Sequence, residues 1–302
     1  MKATRDGFGE QLVLSSKENK NVIGLSADLS KATRISHFAS AYPDRFFELG
    51  IAENNMIGIA SGMAENGYRV FMASFASFLT GKYDTIRCSI SYPNVPCVIV
   101  GTHSGMAIGR DGVTQMGLED MSLMRSLPNM VVINPSTYNQ TKSVVKYLCE
   151  ADLKCAHYLR LGRQPVEEFY PENQRFEIDK VQVIKEGSQG VIFSTGCVLG
   201  SVVKAAEDLD LTVIDLPTIK PLNKEIIRKW SKNAVVTVED HSIIGGLGSA
   251  IAEVIAEEGL PAKLIRIGLN DTFPESGKPE HLYEKYGLSS EKIRQRVLDA
   301  LD

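Results

Sequence analysis

The chain has 302 residues, a formal net charge of -4, and 23% charged against 43% hydrophobic side chains. That length allows one large or two ordinary domains, each able to bury its own core. The weakly acidic balance, with no basic cluster, excludes nucleic-acid or membrane-surface binding as the main task. The five cysteines are scattered and odd in number, which fits reduced thiols better than a disulfide framework or a zinc site. Met1 to Glu10 is polar and no apolar run is long enough to span a bilayer, so the reading places the protein in the cytoplasm.

In chain order, Thr4 to Glu18 reads as an amphipathic helix and Asn21 to Leu25 as a short strand running into the polar loop Ser26-Ala27-Asp28-Leu29-Ser30-Lys31-Ala32-Thr33. Such loops at the carboxyl ends of strands are where ligands sit in α/β folds. Phe46 to Leu49 reads as a strand, followed by a turn and a helix from about Asn54, with Glu53 at its N-terminus among apolar and small residues. Taken alone, Glu53 is either a capping carboxylate favoured by the helix dipole or a functional acid. Gly58 and Gly62, one turn apart, leave room for another backbone to pack closely. Then come Tyr68 to Phe75 (strand), Ser77 to Ser91 (helix) and Cys97 to Gly101, a fully apolar strand. A long glycine-rich loop follows, running from Gly101-Thr102-His103-Ser104-Gly105 through Gly109 to Gly117, and loops of this length in compact domains are usually functional. Leu118 to Arg125 (helix), Met130 to Ile133 (strand), Asn139 to Ala151 (helix) and His157 to Leu161 (strand) complete a first domain over residues 1–164.

Residues 165–190 read as a polar linker with a weak strand around Val181 to Ile184. A second βα series over 191–302 has strands at Val191 to Ser194, Leu211 to Leu216, Ala234 to Glu239 and Lys263 to Ile267, with helices at Ser201 to Leu209, Lys224 to Trp230, Gly248 to Glu258 and Ser290 to Leu301. The alternation predicts an α/β protein of two doubly wound domains built on parallel sheets.

Several motifs in order carry a family resemblance: Gly24-Leu25-Ser26-Ala27-Asp28-Leu29, Gly50-Ile51-Ala52-Glu53, Ser74-Phe75-Ala76-Ser77-Phe78, Thr102-His103-Ser104, Gly109-Arg110-Asp111-Gly112-Val113-Thr114, Arg160-Leu161-Gly162-Arg163-Gln164 and Glu239-Asp240-His241-Ser242-Ile243-Ile244-Gly245-Gly246. Over essentially its whole length the chain resembles the C-terminal half of transketolase, the piece with the pyrimidine-binding and C-terminal domains. The resemblance implies thiamine diphosphate as cofactor and transfer of a two-carbon ketol unit from a ketose to an aldose. It implies that Glu53 is the carboxyl group at N1′ of the aminopyrimidine. Physically that task needs an apolar setting, where a buried carboxyl can share a proton with a ring nitrogen. It implies Phe78 as the ring stacked on the pyrimidine, with Phe75 and Tyr83 nearby, although plain core packing is the commoner fate of such aromatics. Asp28 resembles a position near the pyrimidine, with an Asx turn as the alternative.

For the sugar, the resemblance implies phosphate held by Arg5, Arg163 and His103, donors suited to phosphate oxygens, and a substrate hydroxyl held by Asp111. Two positions depart from the pattern. Gln115 stands where the transketolases compared have histidine, and an amide cannot titrate near neutrality. Ala32 takes the place of a phosphate-binding serine, with Thr33 beside it as a substitute. Both departures bear on the sugar rather than on the cofactor. The chain also has no Gly-Asp-Gly followed by an asparagine pair, the segment that would bind Mg2+ (or Ca2+) and the diphosphate. The implied partner is a separate diphosphate-binding polypeptide in an α2β2 assembly, and the apolar helices around Met56 to Met63 and Ile86 to Ile90 fit such an interface or plain core. His241 reads as structural. The rival readings are the β subunit of a 2-oxo acid dehydrogenase, a 1-deoxyxylulose-5-phosphate synthase-like enzyme, or a catalytically silent scaffold.

Overall fold

In the computed structural model, which describes residues 1–231 and 234–301, two sheets organise the chain. The larger has seven strands in the order Thr218–Lys220, Met130–Ile133, Ala156–Arg160, Val98–Thr102, Arg69–Phe75, Val22–Ser26 and Phe46–Glu48. Six of these run parallel and Thr218–Lys220 pairs antiparallel at the edge. The second sheet has five strands, Lys263–Leu269, Ala234–Ser242, Gly190–Thr195, Thr212–Asp215 and Gln182–Lys185, the last antiparallel. Central strands such as Val98–Thr102 and Gly190–Thr195 are buried at every residue, because helices cover both faces of a parallel sheet. This is the α/β architecture that the alternating pattern predicts.

The connections carry the differences. The predicted helix over Ser77 to Ser91 is three shorter pieces, Ala76–Thr80, Tyr83–Ile86 and a π-helical turn Arg87–Ser91. The first break falls at Gly81, a poor helix former. Short helices at Ser30–Thr33, Ser36–Ala41 and Pro279–Tyr286 lie outside the reading, and the helix expected to end at Leu209 ends at Ala205. The stretch read as a linker is built into the fold. Pro165–Val166 pairs with Lys2–Ala3, Gln182–Lys185 joins the second sheet, and Tyr170 and Phe176 are buried. Thr218–Lys220, in the second half of the sequence, extends the sheet of the first half.

The helix Glu53–Glu65 buries Glu53, Met56, Ile57, Ala60 and Ala64, a stripe at helical spacing, against the first sheet. Gly58 and Gly62 lie on its outer face, and a β-carbon at either would meet nothing within 4 Å. Met56, Ile57, Ile86 and Ile90 are fully buried within the chain's own core, which is the plain-core alternative of the two readings for these side chains. That core is continuous across the two sheets, including Val70 and Met72 on one side and Val191, Phe193 and Ile214 on the other. Among the described residues no helix is long and apolar enough to cross a membrane.

Candidate active site

The candidate residues gather at the carboxyl ends of the parallel strands of the larger sheet, the edge where loops leave a crevice. Glu53 begins its helix and is 8% exposed, and its Oε1 accepts from Ser74 Oγ at 3.4 Å. The turn ahead of it is set by Glu48, whose Oε1 accepts the amides of Asp28 (2.6 Å), Leu49 (3.1 Å) and Gly50 (3.3 Å). Glu48 was not singled out from the sequence, where it is one more charge at a strand end. Asp28 is exposed with a φ of 60° and is tied to this turn through its amide.

Phe75 ends the strand Arg69–Phe75 and is buried. Its ring stacks on His103 at 3.8 Å and on Phe78 at 5.3 Å between centroids. Phe78 stays half-buried, so of the two phenylalanines it keeps ring surface for a partner. Tyr83 packs against the core and its hydroxyl lies 2.9 Å from Ser126 Oγ.

His103 has its backbone in the left-handed region, φ 60°, and is 3% exposed. Its Nε2 lies 3.0 Å from Arg5 Nη1 and its Nδ1 lies 2.8 Å from Thr102 Oγ1. A guanidinium only donates, so Nε2 accepts and Nδ1 carries the proton, donating to the Thr102 hydroxyl, which in turn donates to Ser74 O at 3.4 Å. Burial first, then the charges of Arg5, Arg163 and Arg34, pushes the His103 imidazole down to about 3, and it is neutral at physiological pH. Arg5 is lowered to about 10 by burial and by Arg34, and stays charged. It also donates to Ala32 O at 2.8 Å, which gives the Ala32 position a structural link to the site through its carbonyl.

Arg163 pairs with Asp111 at 2.6 Å and donates to Ile108 O at 3.1 Å, and Gln115 is half-buried in the turn Val113–Gln115. The Thr33 hydroxyl is buried and donates to Leu29 O (3.0 Å) and Ser30 O (3.4 Å). These bonds lie inside its own helical turn. Arg34, paired with Asp6 at 2.7 Å, adds to the positive field at His103, and its spacing in the chain gave no signal of this. His241 is fully buried and donates from Nδ1 to Ser242 O at 2.6 Å, away from these groups.

The assembled site has a buried carboxylate and a half-exposed aromatic ring beside a cationic cluster around a neutral histidine. That set fits an aminopyrimidine next to an anionic substrate. Comparison with known families decides the assignment. Residues 1–168 match the pyrimidine binding domain of transketolase, and residues 179–293 match the transketolase C-terminal domain. The chain belongs to the transketolase family. It corresponds to the C-terminal section of a split transketolase. A chain of Methanocaldococcus jannaschii named as a transketolase C-terminal section is 43% identical over 99% of this chain and 96% of its own length. The 6-deoxy-6-sulfo-D-fructose transketolase subunit of Clostridium sp. strain MSTE9 is 34% identical over 96% of this chain and 91% of its own. Among solved structures, a split-gene transketolase described as an inactive β4 tetramer superposes with a TM-score of 0.92 at 40% identity, covering 100% of this chain and 99% of that one. The 1-deoxy-D-xylulose-5-phosphate synthase of Caldanaerobacter subterraneus is 33% identical, and this transketolase chain spans 48% of its length.

Proposed function

We propose that the chain is the pyrimidine-binding subunit of a thiamine diphosphate-dependent transketolase and works in the cytoplasm with a separate diphosphate-binding subunit as an α2β2 assembly. The observation that carries this is the chain of neighbours in which Ser74 Oγ donates to Glu53, Ser74 O accepts from Thr102, and Thr102 and Arg5 flank His103, so that a buried carboxylate lies close to a cationic cluster. The bound cofactor supplies the chemistry that breaks and remakes the carbon–carbon bond, with Mg2+ (or Ca2+) and the diphosphate held by the partner. This chain's residues bind and orient. Glu53, 8% exposed at the start of its helix, would hold the proton at N1′ of the aminopyrimidine. Phe78 gives a ring for stacking, backed by Phe75, while Tyr83 and Asp28 border the pyrimidine side.

Arg5 and Arg163 hold the terminal anion of a ketose, with the neutral His103 orienting Arg5. Asp111 and Gln115 meet the sugar hydroxyls. We assign residues 1–164 to the pyrimidine-binding domain, 165–190 to a connection and 191–302 to the C-terminal domain. The outer face of the helix Glu53–Glu65, bare at Gly58 and Gly62, meets another subunit.

The anion site also supports a second donor, a sulfonated ketose. Ala32 offers no hydroxyl and the site relies on guanidinium charge, which serves a sulfonate as well as a phosphate. The relative named as a sulfofructose transketolase subunit supports the same reading. Co-expression with the diphosphate-binding chain and a donor panel of phosphorylated, sulfonated and free ketoses tests both readings, in wild type and in Gln115→His. Ketol transfer from a phosphorylated donor supports the first reading, and preference for a sulfonated donor supports the second. Decarboxylation of pyruvate with no ketol transfer would move the chain to the synthase-like reading. No cofactor-dependent activity at all would leave the scaffold reading.

A further inference from the structure

We propose that Asp240 and Tyr283, in the C-terminal part of the chain, are positioning residues for the loop 103–117 that carries Asp111 and Gln115. The inference rests on the reading above that this loop meets the sugar, and it gives the C-terminal domain a part in substrate binding.

The loop is built from two short 3-10 turns, Met106–Asp111 and Val113–Gln115, closed by Gly105 N donating to Gly117 O at 2.8 Å, and its remaining polar groups find partners outside it. On one side the first domain supplies them. Ser104 N and Oγ donate to Leu161 O, Gln164 Nε2 donates to Ala107 O at 2.7 Å, and Arg163 holds Ile108 O. On the other side the partners come from the second half of the chain. Asp240, 4% exposed, accepts the Met106 amide on Oδ1 at 2.9 Å and the Tyr283 hydroxyl on Oδ2 at 2.7 Å. Ser276 Oγ donates to Arg110 O at 2.5 Å, and Gly277 N reaches Gly109 O at 3.5 Å.

The loop is shaped to this support. A β-carbon at Gly105 would lie 2.1 Å from Asp240 Oδ2, and one at Gly109 would lie 3.0 Å from Gly277 O. Both glycines have positive φ, so only glycine gives this close approach without strain. A buried carboxylate with two donors makes short, charge-assisted bonds. The Tyr283 hydroxyl occupies Oδ2 and so keeps Oδ1 aimed at Met106. The support is therefore directional: the phenol fixes the carboxylate, the carboxylate fixes the Gly105–Met106 peptide, and the segment 276–277 fixes the loop at 109–110. Asp111 and Gln115 follow directly.

The test uses Tyr283→Phe, Asp240→Asn and Asp240→Ala in the full chain. Asparagine keeps an acceptor for Met106 N, so it serves as the conservative rescue and covers the case in which alanine fails to fold. In hydrogen exchange on the full chain, Tyr283→Phe should speed the amides of Met106 and of 109–115 about tenfold, the worth of one charge-assisted bond, and leave strands 69–75 and 98–102 unchanged. In the complex with the diphosphate-binding chain, the KM for the ketose donor should rise about tenfold in Tyr283→Phe and less in Asp240→Asn. The kcat and the affinity for thiamine diphosphate should stay within about twofold. Unchanged loop exchange in Tyr283→Phe, or a parallel fall of kcat and cofactor affinity with no selective change in KM, would overturn the proposal. Absence of ketol transfer in the wild-type complex would instead defeat the functional reading, and the exchange measurement would still decide whether these residues hold the loop.

Discussion

Removing the guanidinium of Arg160 should cost more than any other single polar change in the chain's interior. Arg160 and Asp120 have side-chain exposures of 3% and 0%. Nε donates to both Asp120 oxygens at 2.9 and 3.1 Å, and Nη2 donates to Gly117 O (3.0 Å) and Asp240 O (2.9 Å). Tyr158 adds a hydroxyl to Asp120 Oδ2 at 2.7 Å. Arg160→Met keeps the length of the stem but leaves a buried carboxylate with the Tyr158 hydroxyl as its remaining side-chain donor and strips the guanidinium from Asp240 O, while Gly117 O keeps the Gly105 amide. Breaking a buried pair from one side costs about 3–5 kcal/mol. Replacing both charges, as in Arg160→Met with Asp120→Leu, removes the unpaired ion and should recover about 2 kcal/mol of that loss. Urea melts followed by circular dichroism and by the fluorescence of Trp230, the single tryptophan, give the stabilities. Coincidence of the two probes checks that one transition is being measured. A loss under about 1 kcal/mol in the single variant, or a double variant no more stable than the single, would refute the reasoning.

Two further outcomes follow from the same geometry. His103 is held neutral with a pKa pushed down to about 3, while an unfolded histidine titrates near its ordinary 6.5. Its neutral burial therefore favours folding fully above pH 6.5, and that advantage is lost as the pH falls from 6.5 towards 3. Between pH 7 and pH 5 the loss is about 2 kcal/mol, so His103→Gln should flatten the acid side of the stability profile by about that amount, and an unchanged slope would contradict the assignment. Gly101→Ala would set a β-carbon 2.1 Å from the Tyr158 hydroxyl and 2.7 Å from its Cζ, and Tyr158 is fully buried. The displaced phenol would lose its bond to Asp120, and a drop of about 2–3 kcal/mol in the same urea melts is the expected result.

The strands were legible because they are continuous apolar runs: Val98 to Gly101 can only be buried, and the alternation with helices dictates the parallel sheet. Glu53 was legible as a charge where a charge is costly, and the structure buries it at a helix start as that pattern suggests. What the chain order concealed is long-range. Thr218-Ile219-Lys220 has no more strand character than many tripeptides, and its place beside Met130–Ile133 depends on the whole second half folding back. The break at Gly81 is local, a glycine of low helix propensity inside an otherwise helical pattern, and one such residue is often tolerated within a helix. Thr33 stands next to Ala32 in the chain, and its hydroxyl bonds back to the preceding carbonyls of its helical turn, a local contact that residue type alone does not reveal. Arg34, Glu48, Asp240 and Tyr283 act through partners 20 to 134 residues away, or through a shared field, and no local motif encodes such meetings.

Glu53, on the proposed function, serves a cofactor whose diphosphate is held by another polypeptide. The most direct measurement is ketol transfer by the complex with the diphosphate-binding chain, comparing wild type with Glu53→Gln, alongside thiamine diphosphate affinity. Loss of a general acid–base group predicts a fall in kcat of about 10²–10⁴, with cofactor still bound. Wild-type turnover in Glu53→Gln would contradict the account.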